Sequence, residues 1–379
     1  MLKTVFKNIL DGGKNRLAWI DYARGIAIIL VLYRHVFEGI KQAGINVTRW
    51  MGLEHANIVF FSFRMPLFFI VSGVFMGGSL SKRGIGGFIL NKAKLILYPY
   101  VLWASLQITL QLVFSKYVNG DRKVSDYLYI LYAPREIEQF WYLYALFNVT
   151  ILYALVKVKL NLKPIYQFIL GAVMYYLSTW LVRHKIETYF IYDILHYYVF
   201  FAVGELIADS IRKKETIAIL SSWKTVLILL PFFCVSQYYF LTANLNSGLA
   251  RYSFVEENQP TIYALIALTG CTFVVCVCHI LQRLEIGKWL RVVGYHSLYI
   301  YVSHVIIIAA TRVFLSRALG INYVPLLLIL GIISGLFFTI LFYQLAMKMG
   351  FWWLYSLEKP KAKNPSKSSI SVNGEPATA

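Results

Sequence analysis

The chain has 379 residues, of which 59% are hydrophobic and 15% charged. Soluble domains carry about 25% charged residues, so a water-soluble globule is excluded and a polytopic membrane protein is expected. The formal net charge of +19 does not argue for nucleic acid: Lys and Arg gather on one side of the membrane scheme below, as the positive-inside rule requires.

Residues 1–18 place Leu2, Val5, Phe6, Ile9 and Leu10 on one helical face beside Lys3, Lys7 and Lys14. That pattern predicts an interfacial amphipathic segment on the cytoplasmic leaflet, and no cleavable signal peptide is expected. Apolar runs of roughly 20 residues, the length needed to cross a bilayer, follow at about 19–40, 57–80, 89–114, 137–156, 164–182, 189–211, 223–241, 260–281, 292–315 and 323–346. They predict an all-α bundle over 19–357, with about ten transmembrane helices and both termini cytoplasmic. The polar, Pro-bearing stretch 358–379 is expected to be a disordered tail.

The first run, WIDYARGIAIILVLYRHVFEGI, carries charges at both ends. Arg24 and His35 lie eleven positions apart, close to three turns at about 3.6 residues each, so they share a face about 16 Å apart along the axis. Asp21 precedes Arg24 by three residues and is placed to hold it. In this orientation Arg24 is near the cytoplasmic surface and His35 deep, toward the far side. The structural alternative is a snorkelling Arg and a His satisfied by a neighbouring carbonyl.

In the second run, NIVFFSFRMPLFFIVSGVFMGGSL, Arg64 falls at a depth similar to His35. A charge there costs on the order of 2.5–3.5 kcal/mol to insert, which calls for a cavity or an anion. Ser72, Gly73 and Gly77 read as a small-residue packing face. At the start of the third run, Lys92 and Lys94 join Lys82 and Arg83 in a basic rim level with Arg24. Ordinary topology charge explains such a rim, and so does an anion-binding mouth. Glu136 and Glu138 precede FWYLYALF in the fourth run, Asp193 and His196 share a face in the sixth, and GYHSLYIYVSH puts His304 near mid-membrane in the ninth. Cys234, Cys271, Cys276 and Cys278 all lie within runs. The CVCH stretch lacks a second ligand pair, so no metal is expected.

Taken in order, IDYARGIAIILVLYRH with its Arg-x10-His spacing, RMPLFFIVSG, KAKLILYPY, FWYLYALF and GYHSLYIYVSH resemble the membrane acyltransferases of the acyltransferase-3 type. The resemblance covers nearly all of 19–346. It implies transfer of an acyl group, most often acetyl, from acyl-CoA to a hydroxyl of an envelope or exported carbohydrate, in the bacterial plasma (inner) membrane. At matching positions it implies a catalytic His35 and donor binding by Arg24. Acetyl-CoA is then a co-substrate with no bound cofactor. The expected partners are a glycan or lipid-linked sugar acceptor and the lipid bilayer. An extracytoplasmic esterase-like domain of the kind some relatives append is not expected, which leaves open a partner protein for acceptor handling.

Joined to this resemblance, the residue pattern suggests a mechanism. Arg24, Lys92 and Lys94 would bind CoA phosphates, and the pantetheine arm would run along the first helix to His35. Arg64, Ser72 and His304 would form the oxyanion, acyl or acceptor pocket, with Asp21, Glu138, Asp193 and His196 in support. His35 would act as general base, be acylated itself, or orient another group, and the sequence leaves these three open. The competing classes are a small-solute transporter or exporter, which gives no reason for the Arg24/His35 spacing, and a non-catalytic scaffold.

Overall fold

The computed structural model describes residues 17–115, 121–248 and 252–358. The interfacial segment expected over 1–18 and the tail expected over 358–379 lie outside the described residues, except for Leu17, Ala18 and Glu358. Among the described residues every regular element is helical.

Helix α1 is Ala18–Gln42 and α2 is Met51–Gly73. Helix α3, Met76–Lys92, passes through a π-helical turn at Ala93–Leu97 into α4, Tyr98–Val113. Three helices follow: α5 (Trp141–Lys159), α6 (Pro164–Arg183) and α7 (Phe190–Leu206). Next come α8 (Trp223–Asn246) and α9 (Pro260–Leu284). The short α10 (Lys288–Tyr295) leads into α11 (Ser297–Val313) and α12 (Val324–Lys348).

Among the described residues, eight stretches are long and apolar enough to cross a membrane. The two remaining runs fall on α1, which bears Asp21, Arg24, Arg34 and Glu38, and on α7, which has only 17 residues. Both of these helices are enclosed by protein. Helix α1 packs against α2, α9, α10, α11 and α12, and α7 against α2, α5 and α6. Ionisable groups in lipid are costly, and the interior of the bundle spares α1 that cost. Helices α6 and α8 sit at the edge instead, with Val173, Leu227, Phe232 and Val235 exposed; these are the side chains that meet acyl tails.

Two boundaries differ from the hydropathy reading. The second run was expected to continue to residue 80, yet α2 stops at Gly73 and α3 begins at Met76. The third run was expected to begin near 89, whereas its helix starts thirteen residues earlier and breaks at Gly84 (φ 65°, ψ 171°). Such a φ suits glycine, which has no Cβ to clash. A two-residue turn between apolar helices leaves no trace in a hydropathy profile.

Close backbone approach fixes the centre. A Cβ on Gly73 would lie 2.0 Å from the Phe201 carbonyl oxygen, and one on Gly204 would lie 2.0 Å from that of Ile70. Helices α2 and α7 therefore touch backbone to backbone. Gly25 and Gly294 do the same for α1 and α10: their Cβ positions fall 2.3 Å from Leu290 O and 1.8 Å from Asp21 O. Gly77 faces Glu205 and Lys157 side chains instead.

Candidate active site

A cavity of about 1500 Å³ opens where the C-terminal end of α1, the segment Pro134–Phe140, the start of α7 and the helix Phe254–Asn258 converge. On the topology that the charge distribution predicts, this is the outer face. His35 lines the cavity and is partly exposed to it, as are Arg34 and Glu38 on the same helix. Arg64 of α2, 3% exposed, and Tyr301 of α11 complete the deep part.

Behind His35 lies His304, wholly buried, with ring centroids 5.1 Å apart. His304 Nδ1 contacts the carbonyls of Ile300 at 3.0 Å and Tyr301 at 2.8 Å. Carbonyls only accept, so Nδ1 carries the proton and Nε2 presents a lone pair. Tyr301 in turn donates to the Gln139 carbonyl, and Gln139 Nε2 donates to Gln107 Oε1 at 2.7 Å.

The rim is built from polar pairs. Arg135 reaches Asp193 Oδ1 through Nε at 2.9 Å and Nη2 at 2.6 Å, and its guanidinium covers Trp141 and Tyr192, 4.5 and 5.0 Å from their centroids. Asp193 and His196 stand behind the wall rather than in it. His196 Nε2 is 3.1 Å from Glu256 Oε1, a carboxylate that does line the cavity. Glu138 accepts from Gln107 and Gln111 at 3.4 and 3.3 Å. Its backbone, at φ 54° and ψ −119°, lies in a region costly for a residue with a Cβ. Lys41 and Tyr252 both donate to Glu54 and close the rim opposite. Burial and the Glu54 carboxylate push the Tyr252 phenol up.

The remaining sequence-predicted residues gather at the inner end. Arg24 lies 5.6 Å from the Phe75 ring centroid, and the charges nearest Lys92 are those of Arg24 and Arg83. Lys94 turns away through the π-helical stretch and pairs with Glu358 at 2.7 Å. Asp21 is buried, its backbone against Gly294 of α10. Ser72 donates back to Phe68 O at 2.8 Å and sits near Tyr142, close to Arg24. It is two helical turns from Arg64, about 12 Å along the axis, and does not line the outer cavity. Tyr142 touches both sides: Arg24 and Ser72 are on one, and Tyr301 is on the other with centroids 5.2 Å apart. Phe68 and Phe69 complete this aromatic layer, each 5.3 Å from Tyr142.

The structure thus brings together His35, Arg64, His304 and Glu138 around the outer cavity, and Arg24 with Lys92 at the inner end. Arg34, Arg135 and Glu256 were not singled out as site residues from sequence. The run of ionisable groups at the end of α1 was the signal available for Arg34. Among the described residues, no group of three or more His, Cys, Asp or Glu is arranged to hold a metal ion.

Comparison with known proteins gives the context of this arrangement. The chain is 26% identical to the nodulation protein NolL of Mesorhizobium japonicum over 219 residues, 58% of this chain and 55% of the relative. It is 26% identical to the nodulation protein NolL of Sinorhizobium fredii over 205 residues, 54% of this chain and 52% of the relative. The chain therefore spans about half the length of the curated relatives it matches. No solved structure matches it. The family described as an acyltransferase domain matches residues 17–346, from the first residue of α1's cap to the last turn of α12, and the chain belongs to that acyltransferase-3 family.

Proposed function

We propose that the protein moves an acyl group, acetyl by default, from acyl-CoA to a hydroxyl of an envelope or exported glycan. The observation that carries this reading is the position of His35. Its imidazole opens onto the outer cavity, on the same helix whose inner end bears Arg24 beside Lys92. CoA phosphates meet the inner basic pair, where charge-assisted hydrogen bonds are strong. The pantetheine arm covers the roughly 16 Å between Arg24 and His35. To pass, it displaces the Tyr142 and Phe68 rings. The glycan enters from the outer face, where the Arg135-capped rings of Trp141 and Tyr192 line the wall and Glu38 and Glu256 accept from hydroxyls.

The chemistry balances without a metal. As the acceptor oxygen bonds to the thioester carbon, His35 takes the hydroxyl proton. The carbonyl oxygen becomes an oxyanion facing Arg64, a preorganised cation of the kind that stabilises such charge. Collapse breaks the carbon–sulfur bond, and the imidazolium returns its proton to the thiolate, releasing CoA as a thiol. General-base assistance of this kind contributes about 10²–10⁴ in rate. In a covalent variant His35 is acylated first, and ping-pong kinetics distinguish it. Placement in the bacterial inner membrane, and an accessory protein for acceptor delivery, belong to the same reading.

The test is radiolabelled acetyl-CoA with purified protein and envelope glycan extract. His35→Ala is expected to abolish transfer while inserting normally. Arg24→Ala is expected to raise the donor KM more than it lowers kcat. Full transfer by correctly inserted His35→Ala refutes the mechanism, and an unchanged donor KM in Arg24→Ala refutes the inner phosphate site.

A further inference from the structure

Two guanidinium groups at the bottom of the outer cavity have no carboxylate within ion-pair distance. Arg34 of α1 and Arg64 of α2 both approach the Phe61 ring, 5.7 and 5.4 Å from its centroid. Among the described residues, no carboxylate oxygen lies within 4.0 Å of either. Arg64 is 3% exposed, and its Nη1 has no hydrogen-bond partner there. The groups that influence it are Arg34 and the phenols of Tyr197, Tyr263 and Tyr301, with no acid among them. Glu38, one turn along α1, is the charge that bears most on Arg34, followed by Arg135 and Glu256, and none of them forms an ion pair with it.

The carboxylates nearby are already engaged. Asp193 holds Arg135, Glu138 accepts from two glutamines, Glu38 accepts from Asn57 at 2.9 Å, and Glu256 sits against His196. Burying an uncompensated cation costs several kcal/mol, and two adjacent cations repel each other. Such a pair is stable when an anion bridges it, and guanidinium forks match the oxygens of phosphate or carboxylate. The pair lines the compartment that opens outward, away from Arg24 and Lys92, so the anion that completes it arrives with the acceptor rather than with CoA.

We infer that Arg34 and Arg64 form a subsite for a fixed negative charge on the acceptor, so that the molecule acylated is an anionic glycan bearing a phosphate or a carboxylate close to the reacting hydroxyl. This rests on the acyl-transfer reading for the identity of the outer ligand, but not for the existence of the subsite. The subsite also aligns the acceptor: with its charge held between α1 and α2, a neighbouring hydroxyl is presented to His35, one residue along from Arg34.

The experiment uses the full chain purified in detergent, with glucuronate, glucose 1-phosphate and glucose as probes. His35 is modified with diethyl pyrocarbonate and its reaction followed by peptide mass spectrometry. At about three times its dissociation constant a bound probe slows the modification about fourfold. Protection by glucuronate alone assigns a carboxylated glycan, by glucose 1-phosphate alone a phosphate-linked one, and by both an anion of either kind; each supports the subsite. Arg34→Gln, a change at a partly exposed position, is expected to remove at least half of the protection. Equal protection by glucose, or none by either anion, overturns the inference, as does protection undiminished in Arg34→Gln. CoA release from acetyl-CoA, measured on the same samples, tests the acyl-transfer reading separately. An active enzyme without anion protection loses only this subsite, and an inactive one with it loses only the reaction.

Discussion

Substituting Gly204 by alanine tests how far the geometry around His35 depends on one backbone contact. The new Cβ would sit 2.0 Å from the Ile70 carbonyl oxygen and 3.0 Å from the Gly73 Cα. Real Cβ contacts begin near 3.0 Å, and backbone cannot swing aside, so α2 and α7 must separate by about 1 Å in a close-packed interior. Overpacking of this kind costs about 1–3 kcal/mol. Arg64 lies six residues before Ile70, about 9 Å along α2, so part of the displacement reaches the cavity. A misplacement near 1 Å costs up to about 10²-fold in rate, and the expected loss in kcat is ten- to a hundredfold. The assay is thermal unfolding in detergent alongside acyl transfer, with Gly78→Ala as control. Gly78 has nothing within 4 Å of its Cβ position, and alanine there gains up to about 1 kcal/mol of helix propensity. Wild-type melting and turnover in Gly204→Ala refute the claim that this contact sets the site.

Other predictions follow from the paired groups. Arg135→Met leaves the Asp193 carboxylate buried without its partner and should lower stability by about 3 kcal/mol, the low end for a buried pair because Arg135 keeps a face in the cavity. Arg135→Met/Asp193→Leu should recover most of that loss in a double-mutant cycle read by chemical denaturation, and an additive result contradicts the coupling. His304→Phe keeps the ring against His35 but removes the Nδ1 anchors, so kcat should fall about tenfold, the worth of one hydrogen bond near 1.4 kcal/mol, while the donor KM stays within about twofold. Glu358→Ala frees Lys94 from an exposed pair worth less than about 1 kcal/mol. The donor KM should drop, by less than about fivefold, if Lys94 meets CoA phosphates; no change across ionic strengths removes Lys94 from the donor site.

The sequence carried the membrane class, the run positions and the division of ionisable groups between two depths, because hydropathy and helical period are properties of single segments. Arg24 and His35 were legible for that reason. Arg34 was not, because it is about 100° around the helix from His35; only the packing of α2 and α7 reveals that the cavity is wide enough to take both. The separation of Lys92 from Lys94 depends on a π-helical turn, which adjacent residues do not announce. Ser72 looked like a neighbour of Arg64 in a short motif, yet eight residues of helix place it with the opposite compartment. Arg135 lies just before its run and was not singled out; its partner Asp193 lies 58 positions later in the chain, beyond the reach of any local pattern.

Helix α1 precedes every other described helix, but most of its partners come last. Trp19 N–H donates to Gln282 Oε1 at 2.7 Å, the Tyr22 hydroxyl to Ile286 O at 2.7 Å, and Arg312 Nη1 to Gly39 O at 2.8 Å. Until α9 through α12 emerge from the ribosome, α1 has only α2 among its packing partners to shelter its ionised groups. Biogenesis therefore includes a waiting period, during which lipid headgroups, a chaperone or the insertion machinery must hold that segment. A nascent chain released before its final two helices would leave open the flank of α1 on which α11 and α12 pack, the kind of exposed intramembrane polarity that membrane proteases recognise.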